Sequence, residues 1–383
     1  MALPNDVEAC EKDLQRVSDS QHSDAPENYD TAAVRALVWK QDLRIIPLTA
    51  GIYLLCFLDR SNIGNAKTLN ANAGESLLQE ANMTNYQYTI ALMVFLVAYA
   101  VFEVPSNYFL KKLKPSRWIA FLMFGWGACT IGLGGANNYA TVTAVRFLLA
   151  VARLEKEGSK GDAPSLNWET AEATLLDGRL WVHYIIYFGI SAPFSSLSLF
   201  TPTITAGLGY ENLQAQLMTV PPYAVAYVVS IVTAWSSDYF NARALHSAVL
   251  ATIGAIGFLA SALLPAESFH ARYGCLIVAA SGAFSCIPPL LGWLSNNMHS
   301  TAAAGLAIAL NVSWGAPGQI VGVWIYKANE KERGYPTGHW TNFGMLVMVA
   351  VGCVGLRFYY QWRNKRLQRL GPDATGMDRE FSY

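Results

Sequence analysis

Five stretches of this chain each run for more than twenty residues without an Asp, Glu, Lys or Arg: Leu180–Phe200, Ala244–Leu264, Tyr273–Met298, Thr301–Tyr326 and Tyr335–Leu356. A helix rises about 1.5 Å per residue, so roughly 20 apolar residues cross the ~30 Å hydrocarbon layer of a bilayer. A helix that is apolar all round has no face to turn to water. The pattern restricts the chain to an all-α polytopic membrane protein. Composition agrees: 53% of residues are hydrophobic and 14% charged, where soluble domains carry about 25% charged residues.

Nine segments are read as full spans: Ile45–Ile63, Tyr88–Leu110, Trp118–Ala136, Leu180–Gly207, Leu213–Trp235, Ala244–Leu264, Tyr273–Leu294, Thr301–Tyr326 and Trp340–Tyr360. A tenth, Tyr139–Ala152, is apolar apart from Arg146 but short for a crossing. Lys and Arg gather on the cytosolic side of membrane proteins. Three basic clusters should therefore face the cytosol: Arg35, Lys40 and Arg44; Lys111, Lys112, Lys114 and Arg117; Arg363, Lys365, Arg366 and Arg369. With both ends inside, the number of crossings is even, and Tyr139–Ala152 counts as the damaged fourth of ten. The expected organisation is a disordered cytosolic tail (1–40), an incomplete first transmembrane half (41–153), a cytosolic linker (154–179), a six-helix second half (180–362) and a basic, then polar, cytosolic tail (363–383). Asn82-Met83-Thr84 is a glycosylation sequon in a loop that this topology puts outside.

Several classes are disfavoured. Lys plus Arg and Asp plus Glu number 27 each, so net charge points to no nucleic acid partner. The six cysteines form no CxxC or Cys/His metal spacing, and the six histidines form no HxxxH or HExxH. Neither a metal, a cofactor nor an enzyme of the membrane face is expected. Residues 1–40 lack the apolar core of a signal peptide.

The second span ends in Ser106-Asn107-Tyr108-Phe109, and the fifth full span in Ser237-Asp238-Tyr239-Phe240; basic residues follow both. Such parallel echoes occur in secondary transporters built of two halves around a substrate site. The chain resembles the major facilitator superfamily and, more narrowly, the fungal anion:cation symporters of the allantoate-permease type. The resemblance runs from about Trp39 to Leu370. It is carried by "FLDRSNIGNA" (Phe57–Ala66), "VRFLLAVA" (Val145–Ala152), "FTPTITAGLGY" (Phe200–Tyr210), "TVPPYAVAYVVSIVTAWSSDYFNAR" (Thr219–Arg243) and "LGWLSNNM" (Leu291–Met298). It implies twelve helices in two six-helix halves, and uptake of a small organic anion or vitamin-like metabolite with a cation, usually a proton. A monomer in the plasma membrane is expected.

The chain departs from that pattern at Ala150 and Arg153, where the family has Gly and Glu, and passes directly into the linker. The rest of the fourth helix and helices five and six are read as missing. A transport-incompetent remnant or a receptor-like derivative is therefore the alternative to a carrier.

In "YLLCFLDRSNIGNAKTLN" (Tyr53–Asn70), an apolar run takes up Asp59, Arg60, Asn62 and Asn65. Ionisable groups within a span are costly and mark pathways or paired sites. On a helix Asp59, Asn62 and Ala66 share one face, and Arg60 and Gly64 another. Arg60 offers a planar fork to a substrate carboxylate, with Asn62 and Asn65 as amide partners; the competing reading is an interfacial Asp59–Arg60 pair. Arg146 is read as a second anion-binding Arg facing Arg60, or as a snorkelling one. His183 and Asn311 are substrate contacts or packed interior groups. Lys111, Lys112, Arg117, Asp238 and Arg243 are read as a cytosolic latch between helices. Pro193 and Pro202 should break or bend their helix.

Overall fold

The computed structural model describes residues 62–112, 115–152, 174–207, 212–298, 301–370 and 381–382, with residue 172 and single positions between 36 and 58. Met1–Phe57 and Leu58–Tyr383 are separate compact units, and the helices below belong to the second. The first expected span lies mostly outside the described residues, as do Asp59 and Arg60. The same holds for the side chains of Lys111, Lys112 and Arg117.

Residues 62–68 are helical. A short turn (Leu77–Glu80), capped by reciprocal bonds between Ser76 and Gln79, then leads into α1 (Asn85–Lys112). It is followed by α2 (Pro115–Gly134), α3 (Tyr139–Ala152), α4 (Gly178–Gly207), α5 (Asn212–Leu217), α6 (Val220–Tyr239) and α7 (Arg243–Leu263). The remaining helices are α8 (Phe269–Ser285), α9 (Ile287–Asn296), α10 (Thr301–Trp324) and α11 (Pro336–Leu370). Among the described residues, seven helical stretches are long and apolar enough to cross a membrane, and two shorter apolar ones lie in α2 and α3.

Three helices add detail to the expected spans. The span expected over Tyr273–Leu294 is one apolar stretch, Phe269–Asn296, in which Cys286 separates α8 from α9 while keeping helical dihedrals. Pro288 and Pro289 have no N–H, so the carbonyls of Phe284 and Ser285 lose their usual helical donors. α4 is not broken at Pro193 or Pro202, which lie within one continuous helix. Most of that helix is buried among neighbours, which help satisfy the backbone groups that prolines free. And α11 continues ten residues past the expected end at Tyr360, because Arg363, Lys365, Arg366 and Arg369 can extend a helix beyond the hydrocarbon into water.

Small residues set the packing. The α-carbons of Gly318 and Gly322 on α10 lie against the carbonyls of Phe188 and Ala192 on α4, leaving no room for a Cβ. Gly254 on α7 meets Gly282 on α8 in the same way. Helices in lipid gain little from burying apolar surface against each other, so close backbone approach, with its dispersion contacts, is what holds them. The outward faces are correspondingly apolar: Phe121, Phe124 and Ile131 on α2, and Val228, Ile231, Val232 and Trp235 on α6, are exposed. Only a bilayer makes such a surface stable.

Candidate functional site

The helices before residue 153 meet those after residue 177 chiefly where α1 packs on α10. There Gly64 lies against the carbonyl of Leu199 on α4, and Tyr86 at the start of α1 packs edge-on against Trp324 at the end of α10, with centroids 5.5 Å apart. The basic stretches of α1, α2 and α11 lie at the opposite helix ends.

Lys67 sits in this seam. Its Nζ is 5.0 Å from the ring centroid of Tyr88 on α1 and 5.6 Å from that of Phe200 on α4. Phe200 in turn stacks on Tyr326, at 5.5 Å and an interplanar angle of 17°. The Tyr88 hydroxyl donates to the carbonyl of Ile63 at 3.1 Å, fixing α1 to residues 62–68. Among the described residues no carboxylate pairs with Lys67. Aromatic faces stabilise a desolvated ammonium by up to about 2 kcal/mol, yet they leave its charge uncompensated.

Arg146 on α3 is 3% exposed, with Cζ 4.9 Å from the ring of Phe95 on α1. Its charge acts on Tyr88, whose ring faces Lys67. Tyr88 thus stands within reach of two cations from different elements. The Arg146 side chain is enclosed, so snorkelling to a surface does not describe it. Asn65 is half-buried, and its Oδ1 is enclosed without a hydrogen bond. Asn62 is exposed.

Other expected site residues lie elsewhere. His183 is enclosed within the second helix group: Nε2 is 3.2 Å from the Tyr360 hydroxyl, and its ring packs on Trp293 at 4.9 Å. It lies near the basic end, brought together with neither Lys67 nor Arg146. Asn311 is buried on α10 with Oδ1 unpartnered, one turn from Gly315, which packs on Tyr187 and Ser191 of α4. Of the expected latch, Asp238 and Arg243 do pair. Arg243 donates through Nε and Nη2 to Asp238 Oδ1 at 3.0 and 2.7 Å, and through Nη1 to the Gly292 carbonyl at 2.8 Å. The pair ties α6, α7 and α9 together.

Lys67, Tyr88, Phe200 and Tyr326 escaped the motif reading. A Lys after an apolar run reads as a helix stop, although Lys67 extends the Arg60–Gly64 stripe by the three residues that a helical face requires. Among the described residues no group of three His, Cys, Asp or Glu side chains could hold a metal ion.

Apolar spans and an outward apolar surface are those of a multi-pass membrane protein. The curated relatives agree. The MFS transporter prlL of Fungal sp. (strain NRRL 50135) is 53% identical over an aligned length of 460 residues, covering 94% of this chain and 93% of the relative. The MFS-type transporter cnsO of Penicillium expansum is 24% identical, with 92% and 88% covered. The high-affinity nicotinic acid transporter of Saccharomyces cerevisiae is 22% identical, with 77% and 72% covered. No family model matches the chain. The chain belongs to the major facilitator superfamily, and its helices are those of a transporter, not an enzyme.

Proposed function

We propose that this protein is a secondary active transporter that carries a small organic anion or vitamin-like metabolite together with a proton across the plasma membrane. The carrying observation is Lys67, a cation walled by Tyr88 and Phe200 at the seam of the two helix groups, with no described carboxylate to neutralise it. A bound anion supplies the missing charge, and the aromatic walls take its carbon body. Arg146 and Asn65 complete the site, with Arg60, Asp59 and Asn62 contributing from the same stretch as Lys67. Nicotinic acid, in the name of one relative, is a carboxylate of the size this reading calls for. The basic helix ends face the cytosol, and the monomer is the working unit. Asn82, exposed in the turn before α1, carries a glycan on the other side.

The narrower kinship with the allantoate-permease-type symporters rests on the quoted motifs. So does the reading that part of helix four and helices five and six are missing. Two observations support that loss: α3 has 14 residues, about 21 Å of helix, and the 460-position alignment is longer than the 383-residue chain. They also favour a second reading, a remnant or receptor that no longer transports. Uptake of labelled organic acids by the purified protein in proteoliposomes under an imposed pH gradient separates the two. Accumulation above equilibrium establishes the carrier, and no accumulation of any acid leaves the remnant.

A further inference from the structure

At the basic end, the segment Phe381–Ser382 lies in a recess between α4, α9 and α11. Phe381 is 5% exposed and stacks on Tyr360, with centroids 5.1 Å apart and planes 11° from parallel. The guanidinium carbons of Arg179 and Arg363 stand 4.7 and 5.5 Å from the same ring. Two asparagine side chains grip the backbone. Asn364 donates to the Phe381 carbonyl at 2.8 Å and accepts from its N–H at 3.0 Å. Asn297 donates to the Ser382 carbonyl at 3.2 Å and accepts from its N–H at 2.9 Å. The Trp293 indole adds a bond to the Ser382 carbonyl at 2.8 Å.

Side chains of three residues thus satisfy both backbone groups of two successive residues, while a ring slot selects the aromatic. Buried backbone groups bonded in this way form a built docking site, since each would otherwise cost its full desolvation. Trp293 and Asn297 sit on and just past α9, which follows α8 through Cys286 and opens with Pro288 and Pro289. Tyr360 and Asn364 belong to α11, and Arg179 to α4. The docked segment therefore bridges α9 to α4 and α11.

We propose that Phe381–Ser382 is a strap that docks in this recess and ties α9, whose first turn lacks the backbone donors of Pro288 and Pro289, to α4 and α11, so that release of the segment loosens α9. Ser382 Oγ is enclosed without a partner, so a bulky or charged group there dislodges the strap.

The test is hydrogen–deuterium exchange on the full chain in detergent micelles, comparing wild type with N297A/N364A and with S382E. Both variants should raise exchange in Ile287–Asn296 about tenfold or more while α7 stays unchanged, as expected for a locally released unit. A parallel arm labels the thiol of S382C in a background lacking the six native cysteines, where docking should slow the reaction about tenfold relative to the same thiol in N297A/N364A. Unchanged exchange in α9 on release overturns the strap. Fast labelling of S382C with both asparagines present overturns the docking itself. Neither arm depends on transport.

Discussion

A Cβ on Gly64 would stand 2.5 Å from the carbonyl oxygen of Leu199, so residues 62–68 and α4 meet there backbone to backbone. Nothing larger than hydrogen fits, and the contact closes the seam on the side where Lys67 lies. Gly64→Val should force the two elements apart at an overpacking cost of about 1–3 kcal/mol. That shifts any equilibrium between closed and open seams about tenfold or more. Spin labels at Ala66 and Thr203 would report it as a longer distance distribution. An unchanged distribution would show that the contact does not hold the seam.

Lys67→Met keeps the aliphatic stem and removes the charge. If the cation seats the anion, affinity should fall at least about tenfold, the order expected for losing one charge-assisted contact. Lys67→Arg should recover part of it, and Phe200→Leu should cost less than Lys67→Met. Concentration-dependent uptake measures all three. Equal affinities for wild type and Lys67→Met would remove Lys67 from the site.

Arg60 is expected to point towards the same seam. Arg60→Ala should weaken anionic substrates selectively. Arg60→Lys should cost far more than a surface change, since Lys keeps the charge but loses the bidentate fork. Wild-type uptake by Arg60→Ala would leave only an interfacial pair with Asp59.

The α4–α10 packing predicts a stability effect independent of transport. Gly318 abuts the Phe188 carbonyl, so Gly318→Leu should lower the melting temperature in detergent by several degrees, an overpacking penalty of about 1–3 kcal/mol. Gly355→Leu, where nothing lies within 4 Å of a Cβ, should change it little. Equal shifts for the two variants would mean that close backbone approach is not what holds these helices.

Asp177, in the linker before α4, predicts a pH dependence. Burial pushes its carboxyl up, but hydrogen bonds from the Arg179 side chain and backbone, with the charges of Arg179 and Arg363, hold it net below the ordinary value. A carboxylate with a depressed folded-state pKa stabilises above its unfolded pKa, about 3.9, and loses that contribution as pH falls through the folded value. The stability difference between wild type and Asp177→Asn should therefore be constant above about pH 5 and vanish in more acid solution. The pair is partly exposed, so its worth is at most about 1 kcal/mol. A difference that persists unchanged to pH 3 would contradict it.

Charge-free runs made α4, α7, α10 and α11 legible in the sequence, because hydrocarbon admits few other structures. The stretch Phe269–Asn296 was legible in the same way, although Pro288-Pro289 marks where α9 begins after Cys286. The site was legible in part. Arg146 announces itself as a charge in a span, whereas Lys67 looks like a helix stop until Phe200 and Tyr88 are seen around it. Those partners lie 133 and 21 residues away, and nothing in local pattern links them. The docking of Phe381 was invisible for a related reason. Its partners Asn297, Tyr360 and Asn364 lie on two helices, and a polar segment after a basic run reads as solvated.

The central claim, that an anion and a proton move together through this seam, is tested most directly by proton movement. Purified protein is reconstituted into vesicles holding a pH-sensitive dye, and small organic carboxylates are added outside in turn, nicotinate among them. The account predicts that at least one carboxylate acidifies the lumen faster than protein-free vesicles allow, and that Lys67→Met abolishes the difference. No protein-dependent acidification with any carboxylate would contradict it.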